Sequence, residues 1–229
     1  NFDTLGIGTD TVAEEIRKFF PKRKVFQIDA DTTSGIKKVK EVIANFYAES
    51  DAVLIGTEMA LPYLEKVDNS IIISMDSLLH IPSYKIYEKM LHLVSTISAF
   101  TKDNFIIQTR QTENHVLEAL EQNDLKIFYE KDLEKRKMYS YPPFATVIKL
   151  SRTSNKDDFH SAIAPVVASL SKWSPATRRI SRGRVFETIV LLKLSKDIWN
   201  EAEQDPQLSS ILSTLGPDWQ IRINPENLF

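Results

Sequence analysis

No cysteine occurs in this chain, which excludes disulfides and thiolate zinc sites within its span. Glycine is scarce, six in 229 residues, and none falls in the GxxxxGK[ST] spacing that wraps backbone amides around a triphosphate. The usual cradle for ATP is therefore missing. No apolar run approaches the roughly 18–20 residues of a membrane-spanning helix, and no signal peptide is visible. Charge of one sign is not in excess either. With a formal net charge of −2, any contact with nucleic acid must come from a local patch. The four histidines, His80, His92, His115 and His160, share no i,i+3 or i,i+4 spacing and have no cysteine partners, so a metal site is not expected. No serine sits in a nucleophile-elbow sequence, and hydrolase chemistry has no support.

What is present is a globular composition, 42% hydrophobic and 26% charged, in a length that suits two small domains. Cytoplasmic residence is the expectation. The first residue is Asn rather than Met and NFDTLGIG reads as entry in mid-strand, so the chain is expected to be a piece of something longer. Thr11 to Glu14 has capping-box spacing, and Val12, Ile16, Phe19 and Phe20 repeat at helical intervals until Pro21. KVFQIDA predicts a strand, Asp31 to Gly35 a turn, and Ile36, Val39, Val42, Ile43, Phe46 and Tyr47 an amphipathic helix. Three apolar runs, AVLIGTE, SIIISMD and FIIQT, then predict buried parallel strands whose carboxyl ends carry small polar groups, with a helix from about Ser83 to Ile97. Strands alternating with helices imply a mostly parallel sheet in an α/β lobe.

Glu113 to Met138 reads as a long helical stretch that Asn123-Asp124 divides, and Glu130 to Lys137 within it as a solvated charged face. Tyr141-Pro-Pro-Phe144 breaks the helix. Beyond it the pattern gives a strand (Ala145–Ser151), a helix (Asp157–Trp173), a Pro/Arg-rich connector (Ser174–Arg184), a strand (Glu187–Leu194), helical turns (Ser195–Leu215) and a last strand (Trp219–Asn224). The expected second domain is a small α+β unit with helices on one face of a short sheet.

Several groups of residues carry chemistry, each with a plainer reading beside it. Gly6-Ile7-Gly8 before a helix offers amides to an anion, or is a ligand-free turn. Gly56, Thr57 and Glu58 end a strand, where they meet a phosphate or cap a helix. Asp29, Asp31 and Asp76 lie at strand ends and have the oxygen chemistry for magnesium, though Asp31 equally suits a turn. Arg178, Arg179, Arg182 and Arg184 surround Gly183 with Trp173 upstream. They bind phosphates while Trp173 stacks on a base, or they form a solvated connector with Trp173 in the core.

Four blocks in order resemble the carboxyl-terminal half of the bacterial primosomal protein N-prime family of replication-restart DNA helicases. They are Leu5-Gly-Ile-Gly-Thr-Asp10 through Pro21 to Ile28-Asp-Ala-Asp-Thr-Thr33, then Val53-Leu-Ile-Gly-Thr-Glu-Met-Ala60, then Phe105-Ile-Ile-Gln-Thr109 with Phe128-Tyr-Glu130, Leu133-Glu-Lys-Arg136 and Tyr141-Pro-Pro-Phe144, and finally Asp218-Trp219 with Asn224-Pro-Glu-Asn-Leu228. The resemblance implies a RecA-like second helicase lobe over 1–112 and the family's α+β carboxyl-terminal domain over 113–229. It implies DNA at forks or in single strands, single-stranded DNA-binding protein and other primosome proteins as partners, and no membrane. ATP with magnesium, and zinc, belong to the full-length family and not to this stretch.

Departures from the family pattern matter as much. After Gly56-Thr57-Glu58-Met59-Ala60 the family continues with a Lys-Gly-His-Asp motif, and this chain has Leu61-Pro-Tyr-Leu-Glu65. Lys85 and Lys89 stand where family arginines are expected. The Gly-Arg-Ala-Gly-Arg tract that supplies an arginine finger is replaced by Ser95-Thr-Ile-Ser-Ala-Phe100. A finger arginine is worth about three to five orders of magnitude in phosphoryl transfer. The expectation is therefore a DNA-binding and partner-docking half with no catalytic residues and no hydrolysis by itself. Its rivals are a scaffold without DNA binding, and part of an active 3′–5′ helicase once an upstream first lobe is joined, with Lys85, Lys89 or Lys102 replacing the finger.

Overall fold

The structure, a computed structural model, describes residues 8–31, 33–195 and 206–228. Gly6, Ile7, the expected opening strand, Thr32 and the 196–205 part of the helical stretch lie outside the described residues. The chain divides into two compact units, one formed by 1–80 with 88–112 and the other by 81–87 with 113–229.

In the first unit, α1 (Thr9–Phe19) is capped by Gly8, so Thr11 sits inside the first turn and is not the cap that the Thr-x-x-Glu spacing suggests. Ala13 is its buried residue, whereas Phe19 and Phe20 are 73% and 45% exposed, which narrows the expected apolar stripe. β1 (Lys24–Ile28) pairs in parallel with β2 (Ala52–Gly56) through α2 (Ile36–Tyr47). Gly35 precedes α2 at φ 86°, a left-handed conformation that a side chain resists. Ile28, Val39, Ile43 and Ala60 form the core beneath this pair.

β3 (Val67–Ile72) pairs in parallel with β4 (Thr101–Ile107) through α3 (Ile86–Phe100). Among the described residues, β1–β2 and β3–β4 are both parallel pairs, each a two-stranded sheet, in keeping with the expected α/β lobe. Two details differ from the expectation. The run SIIISMD stops early, because Ser74 turns at φ 60° and Met75–His80 coils as a 3₁₀ helix. Nor are these strands fully buried: Ile71 and Ile106, cross-strand partners, are 58% and 53% exposed.

Beyond its 81–87 segment, the second unit continues with α4 (His115–Glu121) and α5 (Leu125–Met138), separated where Asn123 adopts φ 51° and Asp124 accepts from the Lys126 amide. The charged run on α5 is not a solvated face throughout. Phe128, Asp132 and Arg136 recur every four residues and are buried, with an Arg136 Nε to Asp132 Oδ2 ion pair of 2.7 Å. Leu125, Tyr129 and Leu133 are exposed instead.

A four-stranded antiparallel sheet follows, in the order β6-β7-β5-β8, from β5 (Ala145–Ser154), β6 (Ala176–Arg182), β7 (Val185–Ser195) and β8 (Trp219–Ile223). The expected Pro/Arg-rich connector is thus largely strand β6. Its arginines are interspersed with Thr177, Ile180 and Ser181 along an edge of the sheet, and Gly183 at φ 63° opens a two-residue turn into β7. Side-chain alternation gives the sheet two apolar faces. On one, Ile148, Leu150, Val190, Leu192 and Leu194 meet Ile163 and Val166 of α6 (Phe159–Ser169), Leu170 at its C-cap, Trp173, and Leu208 of α7 (Pro206–Thr214). On the other, Val147, Ile189 and Leu191 meet Tyr84 and Leu228. The covering strap Ile81–Tyr87 is held there by Leu228 N–H to Pro82 O at 3.1 Å, Tyr84 Oη to Asn224 O at 3.1 Å, and stacking of Tyr84 on Tyr141 at 5.6 Å.

Candidate functional site

The carboxyl ends of β1 and β2 bring most of the first unit's singled-out residues together. Their parallel register sets Ile28 beside Gly56, and the Thr57 amide donates to Ile28 O at 3.1 Å. A Cβ on Gly56 would lie 3.0 Å from that same carbonyl, so any other residue would push the strand ends apart by a few tenths of an ångström. Thr57 then precedes a 3₁₀ helix, Glu58–Tyr63, at an extended φ of −93°, and its hydroxyl makes no cap hydrogen bond. Gly56, Thr57 and Glu58 are all exposed. Of the two readings open in the sequence, the backbone serves the turn and the side chains stay available.

Beside them lies a polar knot whose extent the sequence did not reveal. Asp29 is buried; its Oδ2 accepts from Thr9 Oγ1 at 2.7 Å and from Gln27 Nε2 at 2.8 Å, and its Oδ1 accepts from the Asp31 amide at 3.0 Å. Gln27 also donates to Asp10 Oδ1 at 2.6 Å. Asp29 therefore ties the N-terminus of α1 to the end of β1, and Asp31 belongs to the turn. Gln27 carried no signal because it falls in no motif, and Thr9 entered only as part of the Leu5–Asp10 block; alternation along β1 alone hints that Gln27 and Asp29 share a side. Asp76 is employed elsewhere, accepting from Thr109 Oγ1 at 2.6 Å and the Arg110 amide at 2.7 Å. The Thr109 hydroxyl, then the Arg110 amide, hold its carboxyl below the usual carboxylate range. The three aspartates thus do not form a shared cation site, and no group of three metal-ligating side chains occurs among the described residues.

In the second unit, strand alternation points Arg178 and Arg179 to opposite faces of β6. Arg178, Arg179 and Arg184 are exposed, while the Arg182 side chain lies outside what the structure describes. Arg179 has local ties, an ion pair to Asp157 at 2.5 Å and a position 5.2 Å above the Phe186 ring. Trp173 is 8% exposed within the sheet's helix-covered core, so it is no stacking platform for a base. Its role is packing, and the cluster reduces to exposed guanidiniums along a sheet edge and its turn. Lys85 sits in the strap, 6.0 Å from the Tyr84 ring centroid, and Lys102 pairs with Asp68 at 3.0 Å.

His115 sits at the start of α4, buried between the Tyr87 ring at 4.3 Å and the Phe128 ring at 5.6 Å. Lys135 Nζ lies 3.3 Å from its Nδ1. Burial first, then the charges of Lys135 and Lys131, lower its pKa to about 4 against a small opposing pull from Glu118. The ring is a neutral core member at ordinary pH. Among the described residues, no helix is long and apolar enough to cross a membrane.

No protein-family profile matches the chain. Individual curated proteins do. The chain is 31% identical over 148 residues to the replication restart protein PriA of Bacillus subtilis, covering 61% of this chain and 18% of that protein. It is 22% identical over 231 residues to PriA of Thermotoga maritima, covering 96% of this chain and 31% of that protein. With PriA of Borreliella burgdorferi the identity is 29% over 160 residues, 66% of this chain and 24% of the relative. The chain thus spans about a fifth to a third of the length of the curated relatives it matches. Relatives from separate bacterial groups match it under one description, and this is a divergent PriA-related sequence corresponding to the carboxyl-terminal region of those replication restart proteins.

Proposed function

We propose that this chain is the second RecA-like lobe and the carboxyl-terminal domain of a divergent replication-restart helicase. It acts as a half that binds DNA and partner proteins and does not hydrolyse ATP by itself. The observation that carries the reading is the alignment of 96% of the chain with a replication restart protein. Two structural features support it. Parallel β1–β2 ends in exposed Gly56, Thr57 and Glu58, the edge where open α/β sheets handle ligands. The second unit exposes Arg178, Arg179 and Arg184 without an acidic excess nearby in sequence.

In this reading Gly56, Thr57 and Glu58 face nucleotide or DNA at the lobe edge. Arg178, Arg179, Arg182 and Arg184 contact phosphates of forked or single-stranded DNA. Partners are single-stranded DNA-binding protein and other primosome proteins. The chain lacks a phosphate loop and a Gly-Arg-Ala-Gly-Arg tract, so ATP with magnesium, and zinc, would be supplied by upstream regions of a full-length family member. A second reading, a primosome scaffold without DNA binding, is favoured by one observation: Arg179 is already engaged by Asp157 and Phe186.

Fluorescence anisotropy of a labelled fork and a labelled single strand, titrated with the chain at increasing salt, separates the two. Four phosphate contacts give a log–log salt slope of about −3 on single-stranded DNA. Alanine at Arg178, Arg179, Arg182 and Arg184 flattens that slope. No binding at low salt, or binding indifferent to salt, refutes the DNA reading and leaves the scaffold. ATPase assay of a full-length parent with forked DNA tests the other limb, and turnover at ordinary helicase rates would refute the degeneracy.

A further inference from the structure

We propose that the free edge of β8 pairs with β8 of a second copy of this chain, continuing the antiparallel sheet across a two-fold axis. This inference is independent of the DNA reading. β8 is a terminal strand, hydrogen-bonded to β5 alone. The Asn224 amide donates to Val147 O at 2.7 Å. In an antiparallel ladder, alternate residues point their amides and carbonyls the same way, so Gln220 and Arg222 also turn theirs toward β5. Ile221 and Ile223 then turn their N–H and C=O groups outward, and no other backbone partner meets them among the described residues.

An unpaired edge is normally blunted by proline, a bulge or charge. The opposite edge of the same sheet obeys that rule, since β6 carries Arg178, Arg179 and Arg182. β8 does not. Its register to β5 is unbroken, it contains no proline, and Arg222 is its one charge. Ile221 and Ile223 are 41% and 56% exposed.

The sequence Trp219-Gln-Ile-Arg-Ile223 suits its own image. Antiparallel pairing centred on Ile221 sets Ile221 against its counterpart and Ile223 against Trp219 of the other copy, all on one face. On the other face Gln220 meets Arg222 of the second copy, so no two arginines oppose each other. Two-fold symmetry requires such self-complementarity of a single patch. A copy of β6 set against itself would bring arginines together instead.

Sedimentation equilibrium of the full chain over a concentration series tests this. The expected mass rises from 26.2 kDa to twice that value as concentration increases. Residue 220 is exposed, and its substitutions read the register directly. Gln220→Glu, placed opposite Arg222 of the second copy, tightens the dimer several-fold, and Gln220→Arg loosens it several-fold. A peptide spanning Asp218 to Asn224 added in excess returns the chain to monomer. A monomer at every concentration overturns the proposal. So does a dimer that responds to neither the residue-220 pair nor the peptide, since its interface would lie elsewhere.

Discussion

His115 makes the second unit sensitive to acid in a way that can be worked out beforehand. An ordinary histidine titrates near 6.5, and burial with the nearby charges of Lys135 and Lys131 lowers this one to about 4. Between those values the unfolded chain binds a proton that the folded chain refuses. The stabilisation is therefore fully present above about pH 6.5 and is lost as pH falls toward 4. At 1.36 kcal/mol per pH unit the loss reaches about 3 kcal/mol, most of it between about pH 6 and 4.5. Carboxylates such as Asp76, whose pKa is lowered, also lose stabilisation in acid. A reference variant is therefore needed. His115→Phe keeps a ring between Tyr87 and Phe128 and removes the titration. The described tryptophans, Trp173 and Trp219, belong to the second unit, and tryptophan fluorescence in urea follows its unfolding. The expected result is a stability gap between wild type and variant that changes by about 1.4 kcal/mol per pH unit in the window. Parallel pH profiles for the two proteins, or an imidazole that titrates near 6.5 by NMR, would refute the reasoning.

Other substitutions have equally definite outcomes. Tyr84→Ala empties the aromatic place between Tyr141 and the sheet and is expected to cost about 3–5 kcal/mol in urea unfolding of the second unit. Tyr84→Phe loses the bond to Asn224 O and should cost about 1 kcal/mol. Gly56→Val drives a side chain into Ile28 O and should destabilise the first unit by about 1–3 kcal/mol, read by thermal unfolding of the amide signal. Asp76→Ala frees the Thr109 hydroxyl and the Arg110 amide, so limited proteolysis should cut faster between 108 and 114 with secondary structure unchanged.

Much of the fold was legible because helical periodicity and apolar runs act locally. The split of α4 from α5 at Asn123-Asp124 follows from turn chemistry alone, an asparagine tolerant of φ 51° and an aspartate that caps. Where the reading departed from the structure, a distant partner decided. Thr11 has capping-box spacing, but Thr9 is held by Asp29 twenty positions away, and the helix starts there. Asp132 and Arg136 look like a solvated run until Tyr84 and Pro142 are brought over them; the guanidinium lies 5.4 Å from the Tyr84 ring and donates to Pro142 O at 3.4 Å. The arginine segment misled for a similar reason. Four arginines around a glycine suggest a loop by composition, yet the β7 ladder recruits Arg178, Arg179 and Arg182 into a strand and leaves Arg184 in the turn, and alternation then divides Arg178 from Arg179 between faces. At the candidate edge, Gly56 to Glu58 could be read from the strand-end motif, while the Gln27 and Thr9 contacts to Asp29 required the three-dimensional register.

The strap Ile81–Tyr87 shows why sequence order and cores need not coincide in this chain. It follows the 3₁₀ helix at Met75–His80 and takes in the first two residues of α3, within a stretch whose remaining residues belong to the first unit. Its own apolar surface, however, is buried against Val147, Ile189, Leu191 and Leu228. A sheet of four strands has two faces to cover, and α6 and α7 occupy only one. The second face is closed by a tyrosine whose ring stacks on Tyr141, whose hydroxyl reaches Asn224 O, and beside which the Leu228 amide binds Pro82 O. Tyr141 and Leu228 both fall in the blocks that resemble the restart helicases, so part of that resemblance marks residues that hold the strap. Motif similarity here reports packing as well as chemistry. Assigning a function to Tyr141-Pro-Pro-Phe144 from its recurrence alone would miss that its first residue is already employed in closing a core.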